Sequence, residues 1–195
     1  IDQDCQGPDS STDLGRDAVP DEDDLQNRLF AKKGMQHELT FWEELKVQSS
    51  SVVEIDRDNQ ALNKTLAAMQ EGVEHIYQAK LETTDFGGWA DFLAKREGES
   101  ALGSFYYEPS DTKLARSPRA YFIIQLCAYA DMLEQLQGKR SPEFEIILGD
   151  GSKTRFKTDS FFYYYRDLRR SFEEFLAKFN PASPQSPGLS REFGR

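Results

Sequence analysis

Asp111-Thr112-Lys113 places a carboxylate and an ammonium two residues apart, and Asp91, in Gly87-Gly88-Trp89-Ala90-Asp91-Phe92-Leu93, precedes that triplet by twenty residues. On a strand, residues two apart share a face. Asp111 can then ligate a divalent cation while Lys113 lies beside the same water, lowering its pKa or stabilising the charge that develops on it. Thr112 points the other way and leaves its backbone carbonyl as a further ligand for a hard cation. Asp91 follows a Gly-Gly turn, where small residues leave room for a phosphate backbone beside its carboxylate. An ordinary turn aspartate and a solvent-facing Asp-x-Lys pair give the same residue pattern.

Other residues keep company with these. Upstream stands Gly34-Met35-Gln36-His37-Glu38, and His37 is one of two histidines. Its imidazole would set a Mn²⁺ or Mg²⁺ site apart from an all-carboxylate one. Glu38 cannot share a helical face closely with His37, so it suits orienting a partner or binding water better than completing a ligand set. His75 lies in an alternating segment and reads as packed. Gln125 and Tyr129, four apart, stack on one face of a helix that otherwise buries its side chains. They need partners, whether the acids, a phosphate or backbone carbonyls. Arg116 and Arg119 follow Lys113, and Lys95-Arg96 follow Asp91, so both basic groups are candidates for the rim of one cleft. Arg166, Arg169 and Arg170 interleave with Tyr163 to Tyr165, which suits stacking on a single strand. A core stripe of Phe161, Tyr165, Leu168, Phe172 and Phe175 accounts better for those aromatics.

The elements that must position these groups alternate in period. A helical rhythm from about Asp24 to Val47, interrupted by Gly34, predicts one bent helix or two short ones. Asp58 to Glu71 predicts a second helix, capped by Asp58 or Asn59 and stopped by Gly72. Val73 to Leu81 alternates, and Gly87-Gly88 turns into Trp89 to Lys95, a hairpin or meander. Phe105 to Leu114 reads as a further strand bent at Pro109. Arg119 to Leu136 carries a wide apolar stripe between Pro118 and Gly138 and is the clearest helix. Glu143 to Leu148 and Thr154 to Lys157 flank Gly149-Asp150-Gly151, a hairpin signal. A last helix spans about Asp159 to Phe179. No internal repeat is present.

At 195 residues the chain suits one domain with one sizeable core. Three segments are expected: a flexible acidic segment over 1–24, the domain over 25–180, and a Pro/Ser/Gly-rich linker or tail over 181–195. Without an initiator Met the chain reads as part of something longer. The net charge of -10 excludes a surface-wide nucleic-acid coat and leaves room for a local basic groove. The run Asp17 to Asp24 reads as a solvated loop. No stretch of 18 apolar residues and no secretion-type start are present, which implies a cytoplasmic protein without a membrane span. Cys5 and Cys127 are too few for a zinc site or a disulfide framework and read as free thiols.

Taken in order, Gly34-x-x-His37-Glu38, Gly88-x-Ala90-Asp91-Phe92-Leu93, Asp111-x-Lys113 and Gln125-x-x-x-Tyr129 resemble the nuclease motifs of the PD-(D/E)XK superfamily, in its RecB-like branch, over residues 25 to 180. Ile76-Tyr77-Gln78-Ala79, Asp111 to Arg116 and Leu148 to Gly151 resemble more closely those RecB-like nuclease domains that precede a helicase or an RNase H-like domain in one chain. The resemblance implies an α/β fold: a central mixed β-sheet flanked by helices, restriction-endonuclease-like, with the site where the second and third strands diverge. By the same resemblance Asp91 and Asp111 would ligate Mg²⁺ or Mn²⁺, His37 would be a further ligand, and Lys113 would position or activate the attacking water. Gln125 and Tyr129 would support the site or hold DNA. The implied activity is deoxyribonuclease, exonuclease-like on single-stranded DNA or free ends, in repair or recombination. Two features depart from the family. Cys5 and Cys127 cannot make the iron–sulfur cluster that several relatives carry, so none is expected, and His37 follows its glycine by three residues where four is common. The competing expectation is a module that keeps the fold and binds nucleic acid or protein without catalysis.

Overall fold

The computed structural model describes residues 22–180. The expectations for residues 1–21, Cys5 among them, and for 181–195 lie outside the described residues. The elements run α1 (Glu22–Gln48), β1 (Val52–Glu54), α2 (Ala61–Glu71), β2 (His75–Glu82), β3 (Gly87–Ser100), β4 (Gly103–Lys113), α3 (Ala120–Gln137), β5 (Glu143–Leu148), β6 (Lys153–Lys157) and α4 (Asp159–Lys178). The six strands form one sheet in sequential order. β1/β2 and β4/β5 are parallel and the other pairs antiparallel. The parallel pairs are those whose connections contain α2 and α3, because a parallel return needs a crossover too long for a turn.

Helix α1 passes through Gly34 without a break. A mid-helix glycine costs about 1 kcal/mol, and the packing of its second half offsets that. Phe41, Trp42 and Leu45 are buried against Tyr77, Phe92 and Ile147 on one face of the sheet. Trp42 stacks on Tyr77 at 4.9 Å, Tyr77 on Phe92 at 5.1 Å, and Phe41 meets Phe92 edge-on at 5.1 Å. Helices α2, α3 and the start of α4 supply the larger core on the other face, with Met69, Leu126, Leu133 and Phe162. Glycines stop two of them as expected: Gly72 (φ 73) ends α2 and Gly138 (φ 67) ends α3, both left-handed. The apolar stripe of α4 is buried only at its start. Phe162 and Tyr165 lie in the core, whereas Leu168, Phe172 and Phe175 remain exposed.

Strand β4 holds its course through Pro109. Its ladder with β5 begins at Ser110↔Glu145. Before that point Tyr107 would leave its amide and carbonyl unpaired, at a cost the interior does not tolerate. The buried Gln137 of α3 takes both: Tyr107 N–H donates to Gln137 Oε1 at 2.8 Å, and Gln137 Nε2 donates to Tyr107 O at 3.1 Å. This clasp fixes α3 against β4 and with it the distance of Gln125 and Tyr129 from Asp111.

One irregularity bears directly on the site. In β2, Ile76 packs in the larger core and Tyr77 in the smaller, yet Ala79 and Leu81 both return to the larger; in β3, Ala90 and Phe92 likewise fall on opposite faces. Residues two apart should share a face. The step falls at Gln78, the one non-glycine with positive φ (55) among the described residues, and at Asp91 across from it, the pair that the β2/β3 ladder skips between Tyr77↔Phe92 and Ala79↔Ala90. Positive φ is strained for a residue with a side chain, and such strain gathers at functional sites.

The β5–β6 turn is pressed against the chain that leaves β4. Gly149 N–H donates to Ala115 O at 3.2 Å, and a Cβ on Gly149 would stand 2.5 Å from Leu114 O. Gly149→Ala should therefore destabilise the fold by about 1–3 kcal/mol, the range for overpacking against backbone. Urea unfolding checks it, and an unchanged midpoint would contradict the close approach.

Candidate active site

Strands β3 and β4 pair as far as Phe92↔Ser110 and then part, β4 pairing with β5 up to Lys113↔Leu148 and β3 with β2 down to Gly87. Asp91, Asp111 and Lys113 stand in this fork. Asp111 is fully buried, and the Lys113 ammonium lies 2.5 Å from its Oδ2. The Asp91 carboxyl faces the same Asp111 carboxylate. Asp91 accepts from the Thr112 amide at 3.2 Å and from the Thr112 hydroxyl at 3.4 Å. Thr112 thus enters the site as a donor to Asp91; the sequence pointed instead to its carbonyl and to a side chain turned away. Where the ladder ends, the Asp91 carboxylate satisfies an amide that the strand has released.

Two carboxylates this close and this dry resist carrying two charges. Burial first, and the facing Asp111 second, push the Asp91 carboxyl up to about 8, against the pull of the Thr112 amide and Lys113. Glu38 of α1 is raised too, first by burial and then by the charge of Asp91, while Tyr77 and Gln78 hold its carboxylate. A strongly perturbed acid with a named charge partner is a mark of functional sites.

Helix α3 delivers Gln125 and Tyr129 to the same place. Tyr129 O–H donates to Trp89 O at 2.6 Å, and Gln125 Nε2 donates to the Tyr129 oxygen at 3.0 Å. Burial raises the Tyr129 phenol, and the charges of Asp111 and Asp91 raise it further. Of the partners open to this pair, the structure supplies a backbone carbonyl two residues from Asp91. Gln125 and Tyr129 therefore brace β3 at the fork.

The remaining expected residues divide. Arg116 and Arg119 are exposed on the connection from Lys113 to α3, at the site's end of the sheet. Lys95 and Arg96 are not at the site. β3 runs on past them, which carries Lys95 roughly 13 Å beyond Asp91 at strand rise. There Lys95 Nζ binds Gly72 O at 3.0 Å and Arg96 pairs with the buried Glu108. His75, half-buried, lies beside them, its pKa lowered by that burial. His37 does not join the acids either. With Glu38 turned toward Gln78, helical phase sends His37 to a cavity of about 180 Å³ with Phe41, Ile147 and Lys153, where its Nε2 is buried without a hydrogen bond. Among the described residues no group of three or more His, Cys, Asp or Glu is placed to hold a metal ion. Arg169 and Arg170 of α4 are engaged by Asp85, Asp131, Glu173 and Asp167. Cys127 is a buried thiol, pushed up to about 12 by burial, and no nucleophile.

Sequence reasoning missed Gln78 and Trp89. Only the position of Gln78, alternate with Ile76 in the strand expected to flank Asp91, carried any signal. The site as a whole is a buried carboxylate pair with one lysine, in the fork of a mixed sheet covered by helices on both faces. No family model matches the chain, and no curated protein matches it in sequence. No helix among the described residues is long and apolar enough to cross a membrane.

Proposed function

We propose that this is a metal-dependent nuclease domain of RecB-like, PD-(D/E)XK type that hydrolyses phosphodiester bonds in DNA. The carrying observation is the Asp91/Asp111 pair with Lys113 at 2.5 Å. A mixed sheet flanked by helices, with the acids where β3 and β4 part, supports this reading.

The pair fits a hard divalent cation. A fully buried carboxylate with one ammonium beside it, and a neighbouring carboxyl raised by burial and by the facing Asp111, are what such an ion would relieve. Mg²⁺ is commonly held by one or two carboxylates, with water and substrate phosphate as its other ligands, so Asp91 and Asp111 suffice without His37. Bound there, Mg²⁺ or Mn²⁺ supplies Lewis acidity at the phosphoryl oxygens and a more acidic water. Lys113, anchored by Asp111, orients the attacking water and stabilises its developing charge. Thr112 and the Gln125–Tyr129–Trp89 chain keep Asp91 aimed at Asp111. In this reading the substrate is single-stranded DNA or DNA with free ends, processed exonuclease-like in repair or recombination, and a helicase or RNase H-like domain lies in the same longer chain.

End-labelled single- and double-stranded DNA, incubated with wild type and Asp111→Asn in Mg²⁺ or Mn²⁺, tests the reading. Cleavage by wild type alone, abolished by chelation, is expected. Equal cleavage by both proteins overturns the proposed site, and metal-insensitive binding without cleavage favours the non-catalytic module.

A further inference from the structure

Arg57, in the connection from β1 to α2, is an exposed cation held in place by neutral groups. Its Nη2 donates to Gln78 Oε1 at 2.5 Å, and its guanidinium carbon lies 4.9 Å from the centre of the Trp89 ring. Gln78 is itself fixed by its hydrogen bond to Glu38 and by the strained backbone that aims it. No carboxylate among the described residues forms an ion pair with Arg57, in a chain of net charge -10. Its two partners are Gln78, across the ladder from Asp91, and Trp89, two residues before Asp91, so it stands beside the fork. Lys80, the cross-strand partner of Trp89, pairs with Glu82 at 3.3 Å and brings a second ammonium to within 5.8 Å of the same ring.

A guanidinium ordered this way, with part of its donor fork unused, suits a phosphate better than a diffuse surface charge does. We propose that Arg57, seconded by Lys80, binds a backbone phosphate of the nucleic-acid strand on the β2 side of Asp91 and Asp111. Arg116 and Arg119 flank the acids on the β4–α3 side. A strand crossing the fork is then held on both sides of the bond that is cut, and the preferred substrate is an oligonucleotide with phosphates flanking that bond. This inference rests on the nuclease reading.

The test compares two substrates: a labelled oligodeoxynucleotide, and bis(p-nitrophenyl) phosphate, which has a phosphodiester and no flanking phosphate. Arg57→Ala should raise KM for the oligonucleotide at least about tenfold, lower the salt dependence of its binding by about 0.7 in log–log slope, and leave hydrolysis of bis(p-nitrophenyl) phosphate at the wild-type rate. Lys139→Ala, an equal loss of charge at the far end of the sheet, should change neither. Wild-type kinetics on both substrates in Arg57→Ala would overturn the proposal, as would an equal loss on both, and the nuclease reading would survive either result. A wild-type protein that hydrolyses neither substrate overturns both.

Discussion

Asp91→Asn should make the metal-free protein more stable at pH 8 and leave it unable to cut DNA. The folded protein raises the Asp91 carboxyl from 3.8 to about 8, so between those values the native state holds a proton that the unfolded chain has released. Stability linked to this group is therefore fully present below about pH 4, falls as pH rises, and is lost by about pH 8. Asparagine carries no charge to repel Asp111, which flattens the curve and raises its alkaline end. Mg²⁺ should stabilise wild type more at pH 8 than at pH 5, because binding at low pH must first expel the proton, and should barely affect the variant. Thermal unfolding at both pH values, with and without Mg²⁺, reads all three effects. A variant less stable than wild type at pH 8 would show that Asp91 serves the fold and not a site.

Lys113→Met should move stability the other way and still abolish cleavage. Methionine keeps an apolar contact over Phe122, where the ammonium now lies 5.3 Å from the ring centre, but it strips Asp111 of its ion-pair partner. Breaking a buried pair from one side costs about 3 kcal/mol, and saturating Mg²⁺ should restore much of that by taking over the charge. The rate should not return, falling at least about 100-fold, the typical contribution of a positioned proton-transfer group. Lys113→Arg separates the roles: its charge should recover stability, while its wider planar head should not reproduce the placement of water. Wild-type turnover in Lys113→Met would remove the lysine from the mechanism and leave the metal site standing.

Much of the site could be read along the chain because its logic is local. Asp111 and Lys113 share a face by strand period, Gln125 and Tyr129 by helix period, and Gly72, Gly138 and Gly149-Asp150-Gly151 mark ends that depend on few neighbours. Lys95 and Arg96 follow Asp91 closely in sequence but stand away from it in space. A strand of 14 residues carries its length away from any point on it. His37 and Glu38 differ by one helical step, and only the docking of Trp42 on Tyr77 sets which of them faces the acids. Arg57 reaches the fork from a loop, by contacts with Gln78 and Trp89 that no period announces.

The reversal of facing at Gln78 and Asp91 has a further consequence. A β-sheet ordinarily insulates its two sides, so that a helix on one face does not sense chemistry on the other. Here the strands change sides at Asp91, whose carboxyl is raised by Asp111 and whose charge in turn raises Glu38 on α1. The seating of α1 thereby sets how near the Glu38 carboxyl stands to Asp91, and whatever shifts that helix on its aromatic seat is met by a side chain from the other face of the sheet.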